Sequence, residues 1–350
     1  MRILHAIAAL PPAAGTTTFC REALRALADR GHDCHLWTPD GSPPPWRPDV
    51  LHLHALWTPW LLRPFLWAKR RGVPVVWSPH GMLAPWAMAH KRWKKILPWA
   101  LYQRPALRAA DLLHVTSPLE AGWVRDLGLR NPLAEVPLGV DLPPEPPPLP
   151  TRPHLALFVG RLHPIKGLDL LVRAWALHKR RDPATPWRLL LVGPDEVGYQ
   201  ATLAGFARGL GLSVQAAPLA LAQAADLTFA GPLYGPDKAA ALDAARLLIL
   251  PSHTENFGGV ILEALAHALP ALASDATPWE ILPQARCGDR FPLDPQALAD
   301  AFDRLAALPD SELEAMGRRG RELVRERYAW PAVADALARA YARLLPSENR

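Results

Sequence analysis

The chain alternates two kinds of segment along its length, and this rhythm constrains its fold more than any other feature. Short runs that are apolar at nearly every position are followed by stretches in which apolar residues recur at helical spacing. A strand apolar on both faces must be covered on both faces, which is the condition of a parallel sheet with crossover helices on either side. In the first half the runs are RILHAIAAL, CHLWTP, VLHLHA, VPVVWSPH, LLHVTS and AEVPLG. In the second half they are LALFVGR, WRLLLVGP, a weaker LTFAGPL, RLLILPS and PALASD. Helical periodicity fills intervals at 19–32, 167–181 and 312–328. The pattern predicts an α/β chain with two doubly wound parallel sheets.

Length and proline divide the two sheets. A chain of 350 residues is too long for one ordinary core. DLPPEPPPLPTRP (141–153) is its densest proline run, and proline fixes φ and removes a donor. The expected division is a first domain over 1–142, a proline-rich linker over 143–153 and a second domain over 154–330. A last amphipathic helix, 331–350, follows after the second domain is complete.

Several classes are excluded at once. Three cysteines without a C-x-x-C signal neither a disulfide framework nor zinc, and a reducing cytoplasm fits. MRILHAIAAL reads as a first strand rather than a signal peptide, and no apolar run reaches the ~20 residues that span a bilayer. No G-x-G-x-x-G follows a strand and no G-x-x-x-x-G-K-[ST] occurs, against an NAD dehydrogenase and a P-loop kinase.

The second half carries two signals for an anionic ligand. HTENFGGVILEAL (253–265) follows a strand and sets Glu255 and Glu263 on either side of Gly258-Gly259. A glycine turn opening a helix offers free N–H groups and a positive dipole end to a phosphate. Carboxylates aimed at that phosphate would repel it, so they suit hydroxyls on either side of it; the bland reading makes Glu263 an exposed helix position. LALFVGRLHPIKG (155–167) places Arg161 and Lys166 at another strand end. Such cations stabilise charge developing on a departing diphosphate. A ligand with hydroxyls flanking a phosphate is a sugar nucleotide.

VGRLHPIKG followed some ninety residues later by HTENFGGVILEAL resembles the retaining glycosyltransferases of family 4, over nearly the whole chain. RALADRGHDCHLWTP, PLGVDL and ALPALASDATPWEIL resemble further parts of that family, and residues 73–107 resemble its bacterial surface-polysaccharide members. The resemblance implies the GT-B fold, two Rossmann-like domains facing across a cleft, with the last helix, 331–350, packing back on the first domain. It implies that Arg161 and Lys166 bind the donor diphosphate, that Glu263 accepts ribose hydroxyls, and that Glu255 holds hydroxyls of the donor sugar. The Phe257, Gly258 and Gly259 backbone then lies near sugar and phosphate, and His80 faces the reaction centre. Gly15 with Thr16 matches the glycine-rich loop after the first strand, with one glycine where two are usual, and Leu138 stands where asparagine is usual.

Two features of the first half are open to more than one reading. His52 and His54 share a strand face, yet no third ligand for a metal is apparent and no D-x-D motif would hold a metal-bound diphosphate. His54 lines an acceptor cleft or is a satisfied core residue. All the excess charge lies here, with 17 Lys and Arg against 11 Asp and Glu in residues 1–150 and 22 of each beyond. WAMAHKRWKKILPWALYQR interleaves that charge with tryptophan. It reads as a helix with a core-facing aromatic stripe and a solvated basic face, or as a segment lying on an anionic membrane. Nucleic acid is the poorest fit, because no binding motif accompanies the charge.

The expected activity is retaining, metal-independent transfer of a sugar from a UDP- or GDP-linked donor to a glycan or lipid-linked acceptor, with no separate cofactor. It would serve lipopolysaccharide, exopolysaccharide or capsule synthesis, in the cytoplasm or peripherally on the inner face of the membrane. A sugar-nucleotide epimerase of the same fold and an inactive assembly scaffold are the alternatives.

Overall fold

The computed structural model describes residues 1–8 and 15–346, apart from the side chain of residue 150. It separates into two compact units, one of Met1–Gly139 with the terminal segment from Arg327, the other of Val140–Glu326.

Unit 1 holds six parallel strands: β1 (Arg2–Ile7), β2 (Asp33–Trp37), β3 (Val50–His54), β4 (Val75–Ser78), β5 (Leu112–Val115) and β6 (Leu133–Glu135). Their order is β2-β1-β3-β4-β5-β6, so the chain reverses direction across the sheet between β1 and β3. These are the six runs read from the sequence. Side chains alternate across the sheet. Leu4, Ala6, Leu51, Leu53, Val75, Trp77, Leu113 and Val115 build one core face, and Ile3, Val50, Val76, Leu112 and Ala134 the other. Helices Gly15–Asp29 and Trp330–Ala342 cover the second face through Phe19, Leu27, Trp330, Val333, Leu337 and Tyr341. Gly139 makes room for that return: a Cβ there would lie 2.4 Å from the Trp330 ring.

Unit 2 holds seven parallel strands: β7 (Leu155–Val159), β8 (Arg188–Val192), β9 (Val214–Ala216), β10 (Leu227–Gly231), β11 (Leu247–Leu250), β12 (Ala271–Ser274) and β13 (Gly288–Phe291). The order β13-β12-β11-β7-β8-β10-β9 puts the reversal between β7 and β11. The sequence reading had five of these. The two it lacked, β9 and β13, lie at the sheet edges, are three and four residues long, and carry polar residues that no apolar run betrays.

The proline-rich segment is strapped to unit 2. Arg152 donates to the Pro147 and Ala245 carbonyls, and Arg321 donates to the Pro143 carbonyl at 2.6 Å and pairs with Glu145 at 3.1 Å.

Candidate functional site

In open parallel sheets ligands lie beyond the carboxyl ends of the strands where the winding reverses. In unit 2 that place is the ends of β7 and β11. The chain leaves β7 at Gly160 and Arg161, makes a single 3₁₀ turn, Pro164–Lys166, and enters the helix Leu168–Arg181 through Gly167. Gly167 has φ +64°, and a Cβ would sit 2.1 Å from the Pro251 carbonyl oxygen, so only glycine lets this loop approach the one after β11. The His253 N–H donates to the Ile165 carbonyl at 2.9 Å and ties the two loops together.

That contact brings Lys166 to Glu255. Lys166 Nζ lies 2.5 Å from Glu255 Oε1, which also accepts from Ser252 Oγ at 2.7 Å. Gly258, at φ +79°, caps the helix Gly259–Ala266, whose first N–H groups point out of the helix end. The loop before it is pinned where Trp279 Nε1 donates to the Phe257 carbonyl at 2.6 Å and the two rings meet edge to face. One turn along, Glu263 accepts from Lys238 Nζ at 2.7 Å. Arg161 reaches Glu196 at 3.3 Å, with both side chains half exposed. A cavity of about 700 Å³ opens at the end of β10, walled by Gln200, Pro218, Phe229, Leu233 and Asp237, the last of these next to Lys238 in the chain.

The chemical character of this edge follows from its pairs. Arg161, Lys166 and Lys238 are each held by a carboxylate, Glu196, Glu255 and Glu263. Cations paired in this way can exchange a carboxylate for an anionic ligand, and a carboxylate so released can accept from hydroxyls. Lys238 gave no signal in the sequence, because it stands in an ordinary helix, Gly235–Ala244.

In unit 1 the corresponding edge carries His80, just past β4. It has φ +51° and is followed by Gly81 at +73°, two successive left-handed residues. The turn is clamped by Glu120, which is fully buried. Its Oε1 accepts the Gly81 N–H at 2.5 Å, and its Oε2 accepts from the Thr116 N–H and hydroxyl at 2.8 and 2.9 Å. Sequence reasoning missed Glu120, although Ser117-x-x-Glu120 at a helix start is a capping-box signal. Gly15 and Thr16 open the helix Gly15–Asp29, Gly15 exposed and Thr16 partly so; residues 9–14 of the loop they end lie outside the described residues.

His80 does not stand alone. His54 Nδ1 lies 3.0 Å from His80 Nε2, and His54 Nε2 lies 3.0 Å from His5 Nδ1. His5, His52 and His54 bring ligand atoms within 4.8 Å of one another, so the third imidazole that the sequence did not reveal is His5. Burial, then the charge of His114, lowers His5 to about 3; burial, then His114 and His5, lowers His80 to about 3. Burial lowers His114 to about 4 and holds His52 and His54 well below the usual histidine range. His54 is a satisfied core residue.

The basic-aromatic segment departs from the core-facing expectation. It breaks into helices Pro85–Ala89 and Arg92–Pro98 and a π turn, Trp99–Gln103. Trp93, Ile96, Leu97 and Leu101 are 74, 57, 63 and 68% exposed, so this apolar stripe faces solvent. Lys95 is not part of a free basic face, because its Nζ donates to the carbonyls of Ala87 and His90. Among the described residues no helix is long and apolar enough to cross a membrane.

Comparison with known proteins bears on the family and the fold. Residues 153–307 match the family model of group 1 glycosyl transferases, and residues 44–139 match that of the glycosyl transferase 4-like domain. A D-inositol 3-phosphate glycosyltransferase of Saccharomonospora viridis is 30% identical over 317 residues, 84% of this chain and 69% of the relative. One of that name from Gordonia bronchialis is 32% identical over 200 residues, and the match spans only 41% of its length. Anabaena HepE, solved with UDP-glucose, superposes with a TM-score of 0.71 at 18% identity over 98% of this chain and 100% of its own. The chain therefore belongs to the group 1 glycosyltransferases, in family 4, and has the GT-B fold.

Proposed function

We propose that the chain is a retaining glycosyltransferase that moves a sugar from a nucleoside diphosphate to a hydroxyl of a glycan or lipid-linked acceptor in surface-polysaccharide synthesis. The observation that carries this is the set of three cation–carboxylate pairs at the reversal point of the second sheet. Arg161 and Lys166 bind the diphosphate and stabilise the charge it gains as the sugar C1–oxygen bond breaks. The acceptor oxygen bonds to C1 on the same face, and its proton passes to the departing phosphate. Glu255 holds sugar hydroxyls, Glu263 holds the ribose, and the Phe229-lined cavity suits a base. UDP is the first donor base to assay, because HepE was solved with UDP-glucose; GDP is the second. His80, Gly15 and Thr16 are the residues of unit 1 proposed to take part in donor binding.

Arg161→Ala and Lys166→Ala are each expected to lower kcat/KM by on the order of 10²-fold. Near-normal transfer by both variants, with any donor in a panel of UDP-, GDP- and ADP-sugars, would remove the cradle. Because these two cations do the work, activity is expected to survive EDTA. Product anomeric configuration, read by NMR, tests retention. The exposed stripe beside Lys91, Arg92 and Lys94 supports a station on an anionic membrane surface, where lipid-linked acceptors reside.

A further inference from the structure

The polar face of β1, β3, β4 and β5 continues the apolar rows of the core. Ile3, Val50, Val76 and Leu112 lie under the helices, and two residues further along each strand stand His5, His52, Ser78 and His114. Register sets His5 opposite His52 and His54 opposite Ser78. The polar row is linked without a break. His114 Nε2 meets the Val136 carbonyl at 2.8 Å, and His114 Nδ1 meets Ser78 Oγ at 2.6 Å. Ser78 Oγ meets His52 Nε2 at 2.5 Å, and His52 Nδ1 meets the Tyr341 hydroxyl at 2.7 Å. The hydroxyl lies 3.4 Å from His5 Nε2, and from His5 the links run to His54 and His80.

One end of this chain has a fixed sense. A backbone carbonyl only accepts, so His114 carries its proton on Nε2, and in a neutral ring Nδ1 is then bare. Ser78 must donate to it and so accepts from His52 Nε2–H. The bare His52 Nδ1 takes the Tyr341 proton, and the tyrosine oxygen accepts from His5 Nε2–H. His5 Nδ1 accepts from His54 Nε2–H, and His54 Nδ1 accepts from His80 Nε2–H. The nearby Cys20 thiol, 4.0 Å from His5 Nδ1, agrees with that nitrogen being an acceptor. Every ring nitrogen of His5, His52, His54 and His114 is used, which argues for this reading over a metal on His5, His52 and His54. Among the described residues no group meets His80 Nδ1.

We infer that this seven-residue chain is a positioning device that fixes the tautomer of His80, holding its proton on Nε2 and leaving Nδ1 a bare acceptor for a substrate hydroxyl. The inference rests on the proposed role of His80 in substrate binding. Tyr341, on the terminal helix, is the link on which the sense of His5, His54 and His80 depends. It is 289 residues from His52 in sequence.

Histidine ring tautomers read by long-range ¹H–¹⁵N NMR on the full chain test this directly. In the wild type His80 is expected as the Nε2–H tautomer. In Tyr341→Phe, His5, His54 and His80 are expected to become mixtures while His114 stays Nε2–H, and donor KM is expected to rise several-fold. Should that variant fail to fold, Ser78→Ala cuts the chain on the other side of His52 and is expected to mix His52, His5, His54 and His80. A wild-type His80 protonated on Nδ1, a His80 unmoved by both variants, or stoichiometric metal on the purified chain would overturn the inference. Mixed tautomers with unchanged KM would leave the hydrogen-bond chain standing but overturn its positioning role, and would show that His80 takes no part in substrate binding.

Discussion

Acidification should unfold the first unit long before the second. Five imidazoles of unit 1, His5, His52, His54, His80 and His114, are held neutral by burial. In the unfolded chain each returns to about 6.5. Above that value neither state binds the proton, and the shift has no effect on stability. Below it the unfolded chain takes up protons that the folded one refuses, so stability falls with pH until the folded values near 3 and 4 are reached. One unit below 6.5 each ring contributes about 1.4 kcal/mol of loss, or about 7 kcal/mol for five at pH 5.5. Whole domains have about 5–15 kcal/mol. Carboxylates titrate lower and add little in this range. In unit 2 partial burial lowers His154, and that unit serves as internal reference. Hydrogen exchange followed by mass spectrometry, corrected for intrinsic rates, should show peptides from β3 and β4 losing several powers of ten of protection between pH 7.5 and 5.5. Peptides from β7 and β11 should change little. Equal protection of both units at both pH values would refute the neutral, buried histidine chain.

Three further outcomes are expected. Gly167→Ala should cost about 3 kcal/mol or more, because a side chain there meets both a left-handed backbone and the Pro251 carbonyl; a melting temperature within 2 °C or so of wild type would contradict it. Truncation after Arg327 strips Trp330, Val333, Leu337 and Tyr341 from the core of unit 1, so the remainder should lose cooperative unfolding of that unit rather than behave as a trimmed chain; calorimetry decides. Flotation with phosphatidylglycerol vesicles but not phosphatidylcholine ones, lost at high salt and on reversing Lys91, Arg92 and Lys94, would support the membrane station; indifference to anionic vesicles at low salt would sink it.

Legibility in the sequence followed the range of the interactions involved. Both sheets, the reversal-point loops and the helix at Gly259 were readable, because continuous apolar runs and glycine turns are local signals. Arg161, Lys166 and Glu255 were readable as polar residues of strand-end loops, and Glu263 as a position one turn into the helix that follows. Their partners were not. Glu196 and Lys238 have no motif, and the Lys166–Glu255 pair joins residues 89 apart through two loops that meet only because the β7–β11 pairing sets them side by side. Period in the stretch around Trp93 told which side chains share a face, yet only the tertiary structure decided that Trp93, Ile96, Leu97 and Leu101 face water. Same-face placement of His52 and His54 was likewise a local fact. That they join His5, Ser78, His114 and Tyr341 in one chain depends on strand register and on a terminal helix returning to cover the first sheet. Sequence period fixes the face of a strand on which a side chain stands; what it meets there is decided by the order in which strands and helices are brought together.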